Sequence, residues 1–197
     1  MFGNSTYISA LLNANFPTWR IVLFNGIGVV AIFLQFMMFQ MKRRKDIIFV
    51  SMGSNVGWFS YFALQGDLIS GVANVIGIMS NIIFLFRENH RWANSKLWLL
   101  LFLAVATVFS IYTYQTWKDI FALCGALFSM IAFFMIKEKN IRIISFFTYI
   151  SFMCNNISKV YVVALIADIT ALASLVIALK RYKKAEQKEN AETVSNQ

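Results

Sequence analysis

Residues 21–41 read IVLFNGIGVVAIFLQFMMFQM, and Lys42-Arg43-Arg44-Lys45 follows at once. An uncharged run of 21 residues is long enough for a helix to cross the hydrocarbon, which takes about 20 residues. Four cations directly behind it mark the point where the chain leaves the bilayer. The pattern recurs. Six further apolar runs, Asp46–Gln65, Leu68–Phe86, Leu97–Tyr114, Asp119–Ile136, Ile143–Ile157 and Val160–Leu179, are joined by connections too short to form another domain. Ile143–Ile157 is the shortest of the seven. Of 197 residues 59% are hydrophobic and 14% charged, with a mean hydropathy of +0.64; a soluble domain has about 45–50% and about 25%. So few charges cannot cover a soluble globule, and so apolar a chain is not disordered. Two cysteines and one proline exclude a disulfide scaffold. The expected class is an all-α membrane protein with seven transmembrane helices.

The net charge of +9 follows from orientation and calls for no nucleic acid. One side carries 15 of the 18 basic residues, in Lys42–Lys45, Arg87, Arg91, Lys96, Lys137, Lys139, Arg142 and five positions from Lys180 to Lys188. The other side carries Arg20, Lys118 and Lys159. The positive-inside rule then places the N-terminus outside and the C-terminus in the cytoplasm. Asp67 and Asp119 fall outside, and Asp168 is left within a span. No cleavable signal peptide is evident, since Met1–Trp19 lacks a basic n-region. The polar stretch after Lys184 reads as disordered. Asn4-Ser5-Thr6 and Asn156-Ile157-Ser158 match the glycosylation sequon on the outer side and are read as coincidence.

The seven spans divide as three, one linker and three. A shift of 94 positions lays Ser51–Arg87 on Ser145–Arg181, with Ser51, Ala73, Ser80, Ile83, Leu85 and Arg87 meeting identical residues. The polar landmarks follow: Asn74 falls on Asp168, Trp58 on Phe152 and Asn55 on Tyr149. Three spans and a linker make four crossings, so the two halves enter from the same face and form parallel repeats. The chain so divides into an extracytoplasmic segment 1–18, a first three-helix bundle 19–87, a linker helix 88–116, a second three-helix bundle 117–184 and a disordered cytoplasmic tail 185–197.

The 3+1+3 division, the Trp58…Asn74 spacing, Gly28-Val29-Val30-Ala31, the basic turn Lys42–Lys45 and Ala73-Asn74-Val75-Ile76 resemble the SWEET sugar-transporter superfamily, which also holds the PQ-loop and PnuC vitamin transporters. Within it, the chain is most similar to YgjV-type bacterial inner-membrane proteins, over about Trp19–Lys184. The resemblance implies a bacterial inner-membrane location. It also implies a central pocket lined by Trp58 and Asn74 and, through the repeat, by Phe152 and Asp168. The chain departs from the pattern in lacking a Pro-Gln dipeptide and any span proline, Pro17 lying ahead of the first span. The second pair is Phe/Asp rather than aromatic/Asn, and the Trp-rich signature of PnuC is absent.

Asp168 is the sharpest feature, because a carboxylate near mid-span costs about 2.5–3.5 kcal/mol on insertion scales. Ala164, Ala167 and Ala171 would leave space around it. Asn74 reads either as a ligand to solute or as interhelical glue. Trp58 offers a ring face to an apolar or sugar-like surface and shares a helix face with Asn55; Tyr149 is the counterpart of Asn55. Gly53-Ser54-Asn55-Val56-Gly57 reads as close helix packing within the bundle, with a homo-oligomer left open. Asn25 and Gln35 read as bonding to neighbouring helices.

One histidine and two span cysteines supply no usual metal cluster, and no HExxH, Walker A or GxSxG motif occurs. An enzyme, a cofactor and a metal are therefore not expected. The expected partners are the lipid bilayer and a small-molecule solute, carried by alternating access and either neutral and polar or cationic. The rival is a non-transporting assembly or lipid-interacting subunit. The basic-residue split generates a direct prediction. An impermeant thiol reagent should label Ser5→Cys in intact cells and Ser195→Cys only after permeabilisation; the reverse pattern would invert every loop.

Overall fold

The computed structural model describes residues 18–65, 68–114, 116–159 and 162–195. The Asn4 sequon, Pro17 and Asp67 lie outside the described residues. The described residues form seven α-helices: α1 (Thr18–Gln40), α2 (Arg44–Gln65), α3 (Leu68–Leu85), α4 (Lys96–Tyr112), α5 (Asp119–Phe134), α6 (Glu138–Lys159) and α7 (Val162–Ser195), with a short 3₁₀ turn at Phe86–Glu88.

Among the described residues four segments are long and apolar enough to cross a membrane: Trp19–Gln40, Arg44–Leu64, Gly71–Glu88 and Val162–Lys184. Helices α4 and α5 are apolar but only 17 and 16 residues long. Helix α6 corrects the shortest expected span. It has 22 residues rather than the stretch 143–157 alone, because the charged turn Glu138–Arg142 and Ser158-Lys159 are part of the same helix. Helix α7 departs further. Its 34 residues extend about 50 Å, past the roughly 30 Å hydrocarbon core. The tail after Lys184 is thus helical to Ser195, where disorder was expected. Ala, Glu, Gln and Lys are strong helix formers and prolong a helix already nucleated in the bilayer.

Sequential helices pack in two groups, α1 on α2 on α3 and α5 on α6 on α7. The groups meet along two seams, α1 against α7 and α3 against α5, and α4 rests on α3 and α5. Small residues set the closest approach. A Cβ on Gly57 would stand 2.8 Å from the Ala31 Cβ, so the Gly53–Gly57 pair serves contact between α1 and α2. The α1–α7 seam is stitched by polar groups: Gln40 donates to the Ser174 carbonyl at 3.1 Å and its Oγ at 2.8 Å. The Ser174 hydroxyl donates to the Phe36 carbonyl at 2.6 Å, and Arg181 donates to Gln40 at 2.9 Å.

The basic turns gather at one end of the bundle over a core of Phe39, Ile47, Ile48, Phe84, Phe134 and Ile141. Arg44 opens α2 and its side chain is 1% exposed. Its Nε donates to the Met135 carbonyl at 2.8 Å, and its Nη2 to the carbonyls of Phe84 at 2.8 Å and Phe133 at 3.1 Å. Nη1 pairs with Glu88 at 3.5 Å. One guanidinium thereby satisfies carbonyls at the C-terminal ends of α3 and α5, where a positive charge also suits the helix dipole. Arg142 of α6 does the same for the end of α1, donating to the Met41 carbonyl at 2.8 Å. The guanidinium of Arg87 lies 3.6 Å from the centroid of the Phe134 ring. Arg44→Leu should therefore lower the unfolding free energy of the detergent-purified protein by about 2–4 kcal/mol. Arg43→Leu, at an exposed neighbour, should stay within about 0.5 kcal/mol. Equal melting temperatures for the two variants would remove Arg44 from this role.

Candidate functional site

The helices enclose a cavity of about 420 Å³ lined by residues of all seven. It reaches from Met38, Asn81 and Phe133, above the core at the basic end, to Phe62, Thr113 and Asp119 near the opposite helix ends. Trp58, Asn74, Phe152, Asp168, Asn55 and Tyr149 all stand in its wall. Its charged lining residues are Asp119 and Asp168; no Lys, Arg or His is among the described lining residues.

Asp168, on α7, is 5% exposed. Asn156 of the neighbouring helix α6 donates from Nδ2 to its Oδ2 at 2.7 Å. Asn155 in turn donates from Nδ2 to the Asn156 Oδ1 at 3.3 Å. A carboxylate only accepts, so it fixes which way each amide of this chain points. The chain ends on the Asn155 Oδ1, which is buried and has no donor. Among the described residues no cation forms an ion pair with Asp168.

Trp58 is 8% exposed and is held by Gln35 of α1, whose Oε1 accepts from the indole Nε1 at 2.8 Å. The Gln35 amide reaches across the seam toward the Ala167 carbonyl at 3.4 Å, next to Asp168. Tyr61 and Phe62 back the indole, with ring centroids 5.4 and 5.9 Å away. On the other side of the repeat, Phe152 lies on Gly125 of α5: a Cβ there would come within 2.6 Å of the ring. Asn55 has a similar relation to Gly77, where an added Cβ would lie 3.0 Å from its Nδ2. The site is therefore cut to shape by two glycines facing large side chains. Deeper in, Asn81 donates to the Ser51 hydroxyl at 3.1 Å.

Three wall residues carry structure that the sequence reading did not assign to the site. Gln35 bonds neighbouring helices as expected, and in doing so orients Trp58. Asn156 was legible only as part of a sequon; it is half-buried and committed to Asp168. Asn155 escaped notice altogether. The adjacent pair Asn155-Asn156 one helix hairpin before Asp168 was the available signal. Among the described residues, no three His, Cys, Asp or Glu side chains gather as a metal site would require.

A bundle of apolar helices around a polar, acid-lined cavity defines an integral membrane protein. Residues 22–186 match the model of the Imp-YgjV family, described as bacterial inner membrane proteins. The chain belongs to that family, and its place is the bacterial inner membrane. Comparison with curated proteins and with solved structures gives no match.

The Gly125–Phe152 contact yields a test of the cavity wall. Gly125→Ala should destabilise the protein by about 1–3 kcal/mol, the usual cost of overpacking. Phe152→Ala in the same chain should recover most of that loss, giving a non-additive double-mutant cycle. Additive melting shifts would mean that the two side chains do not compete for one space.

Proposed function

We propose that this protein carries a small polar solute across the inner membrane by alternating access, with Asp168, Asn74, Trp58, Phe152, Asn55 and Tyr149 as its binding residues. The observation that carries the reading is the cavity of about 420 Å³ bounded by both helix groups. Pockets of roughly 300–1,000 Å³ suit small-molecule ligands. In this reading seven helices cross the bilayer as a SWEET-like 3+1+3 arrangement of parallel three-helix bundles, α1–α3 and α5–α7, with α4 as linker. The N-terminus is outside and the C-terminus cytoplasmic.

Several features support it. Both members of four pairs related by 94 positions line the cavity: Asn74 and Asp168, Trp58 and Phe152, Asn55 and Tyr149, Ala73 and Ala167. A twofold axis along the membrane normal would exchange the α1–α7 and α3–α5 seams, both of which are in contact. The packed core and Arg44 close the basic end, which suits a state accessible from the other side. The solute is neutral and polar or cationic, since an anion would meet only carboxylates as formal charges. No catalytic step is part of this reading.

Purified protein in liposomes, offered a broad panel of radiolabelled metabolites, should accumulate at least one above protein-free vesicles. Asp168→Asn keeps the shape of the side chain and should cut that uptake about tenfold or more while the protein stays folded. No flux for any solute would favour the assembly or lipid-interacting alternative.

A further inference from the structure

The cavity offers one kind of chemistry in two different parts. Its formal charges are both negative, Asp119 toward the end away from the basic turns and Asp168 within the wall, in a chain whose net charge is +9. Asp168 is 95% buried, receives only the Asn156 amide, and has no ion-pair partner among the described residues. The amide chain that begins at this carboxylate ends on a second bare acceptor, Asn155 Oδ1. What this end of the cavity lacks is a donor with positive charge. The wall also carries two aromatic rings: Trp58 is held by Gln35, and Phe152 packs against Gly125. Such rings accept a planar apolar surface and attract a nearby cation.

We propose that the ligand of this cavity is an organic monocation: an ammonium group seated on Asp168, joined to a flat apolar body that lies against Trp58 and Phe152. The proposal rests on the carrier reading above and narrows its solute class. The ammonium N–H groups would supply the donors that the carboxylate lacks, and the carboxylate would balance the charge at a buried site. A neutral molecule of the same shape would leave Asp168 without its counter-charge. An anion would face both acids.

The test uses the full-length protein in nanodiscs of phosphatidylcholine and equilibrium dialysis with three probes of one shape: 2-phenylethylamine, 2-phenylethanol and phenylacetate. The expected result is saturable binding of the amine, at least about tenfold tighter than the alcohol, with no saturable binding of phenylacetate. Asp168→Asn should bring amine and alcohol within about twofold of each other, whereas Asp168→Glu should retain the preference. Trp58→Leu should weaken amine and alcohol together. Each variant is first compared with the wild type by size exclusion and thermal melting, and the Asp168→Glu result stands if Asp168→Asn fails to fold. The proposal is overturned if the alcohol or phenylacetate binds as well as the amine, if Asp168→Asn keeps the preference, or if no probe binds saturably. Should it fall while the liposomes still accumulate a neutral solute, the carrier reading survives. Should amine binding hold while no solute crosses, the carrier reading alone is lost.

Discussion

Hydrocarbon offers no hydrogen bonds, so each polar group carried into this bundle has to find its partner inside the protein or beside a cavity. That constraint orders the interior. Ser54 donates to the Ala31 carbonyl at 3.2 Å, Asn81 to Ser51, Trp58 to Gln35, Asn156 to Asp168. Most of these bonds join different helices, and they place the helices as firmly as the apolar contacts between them. Where lipid itself is the neighbour, the side chains are Val, Leu, Ile and Phe: Val29, Phe33, Leu100, Ile166 and Ile169 are all well exposed on the outside.

The two ends of the bundle solve the problem differently. At the basic end a single buried guanidinium collects carbonyls from two helices, and Arg142 collects one from a third. This joins the two helix groups without needing any polar room between them. Toward the other end the polar side chains stand around open space, and the Asn155 Oδ1 among them is a buried acceptor without a donor. Charge is thereby sorted: the cations pack the end turns, and the formal charges of the cavity wall are carboxylates.

Much of this was legible in the chain. Uncharged runs followed by basic turns placed the helices, and a midspan carboxylate drew attention to Asp168 before any geometry was known. The 94-position shift named Phe152 and Tyr149, which have no polar signature strong enough to stand out alone. The misses have physical causes. Asn155 and Asn156 lie near a helix end, where polar residues are ordinary, so their value depends on which face they present to α7. Gln35 looked like helix glue and is glue, but glue whose partner is the site's indole. The extent of α6 was missed because hydropathy marks membrane depth, while helix ends are set by backbone bonding that continues into water. The same blindness applied to the tail of α7.

The polar stitching between α1 and α7 joins residues 132 to 141 positions apart in sequence. On a ribosome adding about 5–20 residues per second, the first helix is made on the order of ten seconds before the last. Throughout that interval Gln35 and Gln40 have no α7 to bond. A nascent α1 must therefore shelter its amides elsewhere, against α2 or within the insertion machinery, until α7 has been made. Closure of the ring therefore waits for α7, and in a chain that stalls before it the Gln35 and Gln40 amides lack their acceptors on that helix.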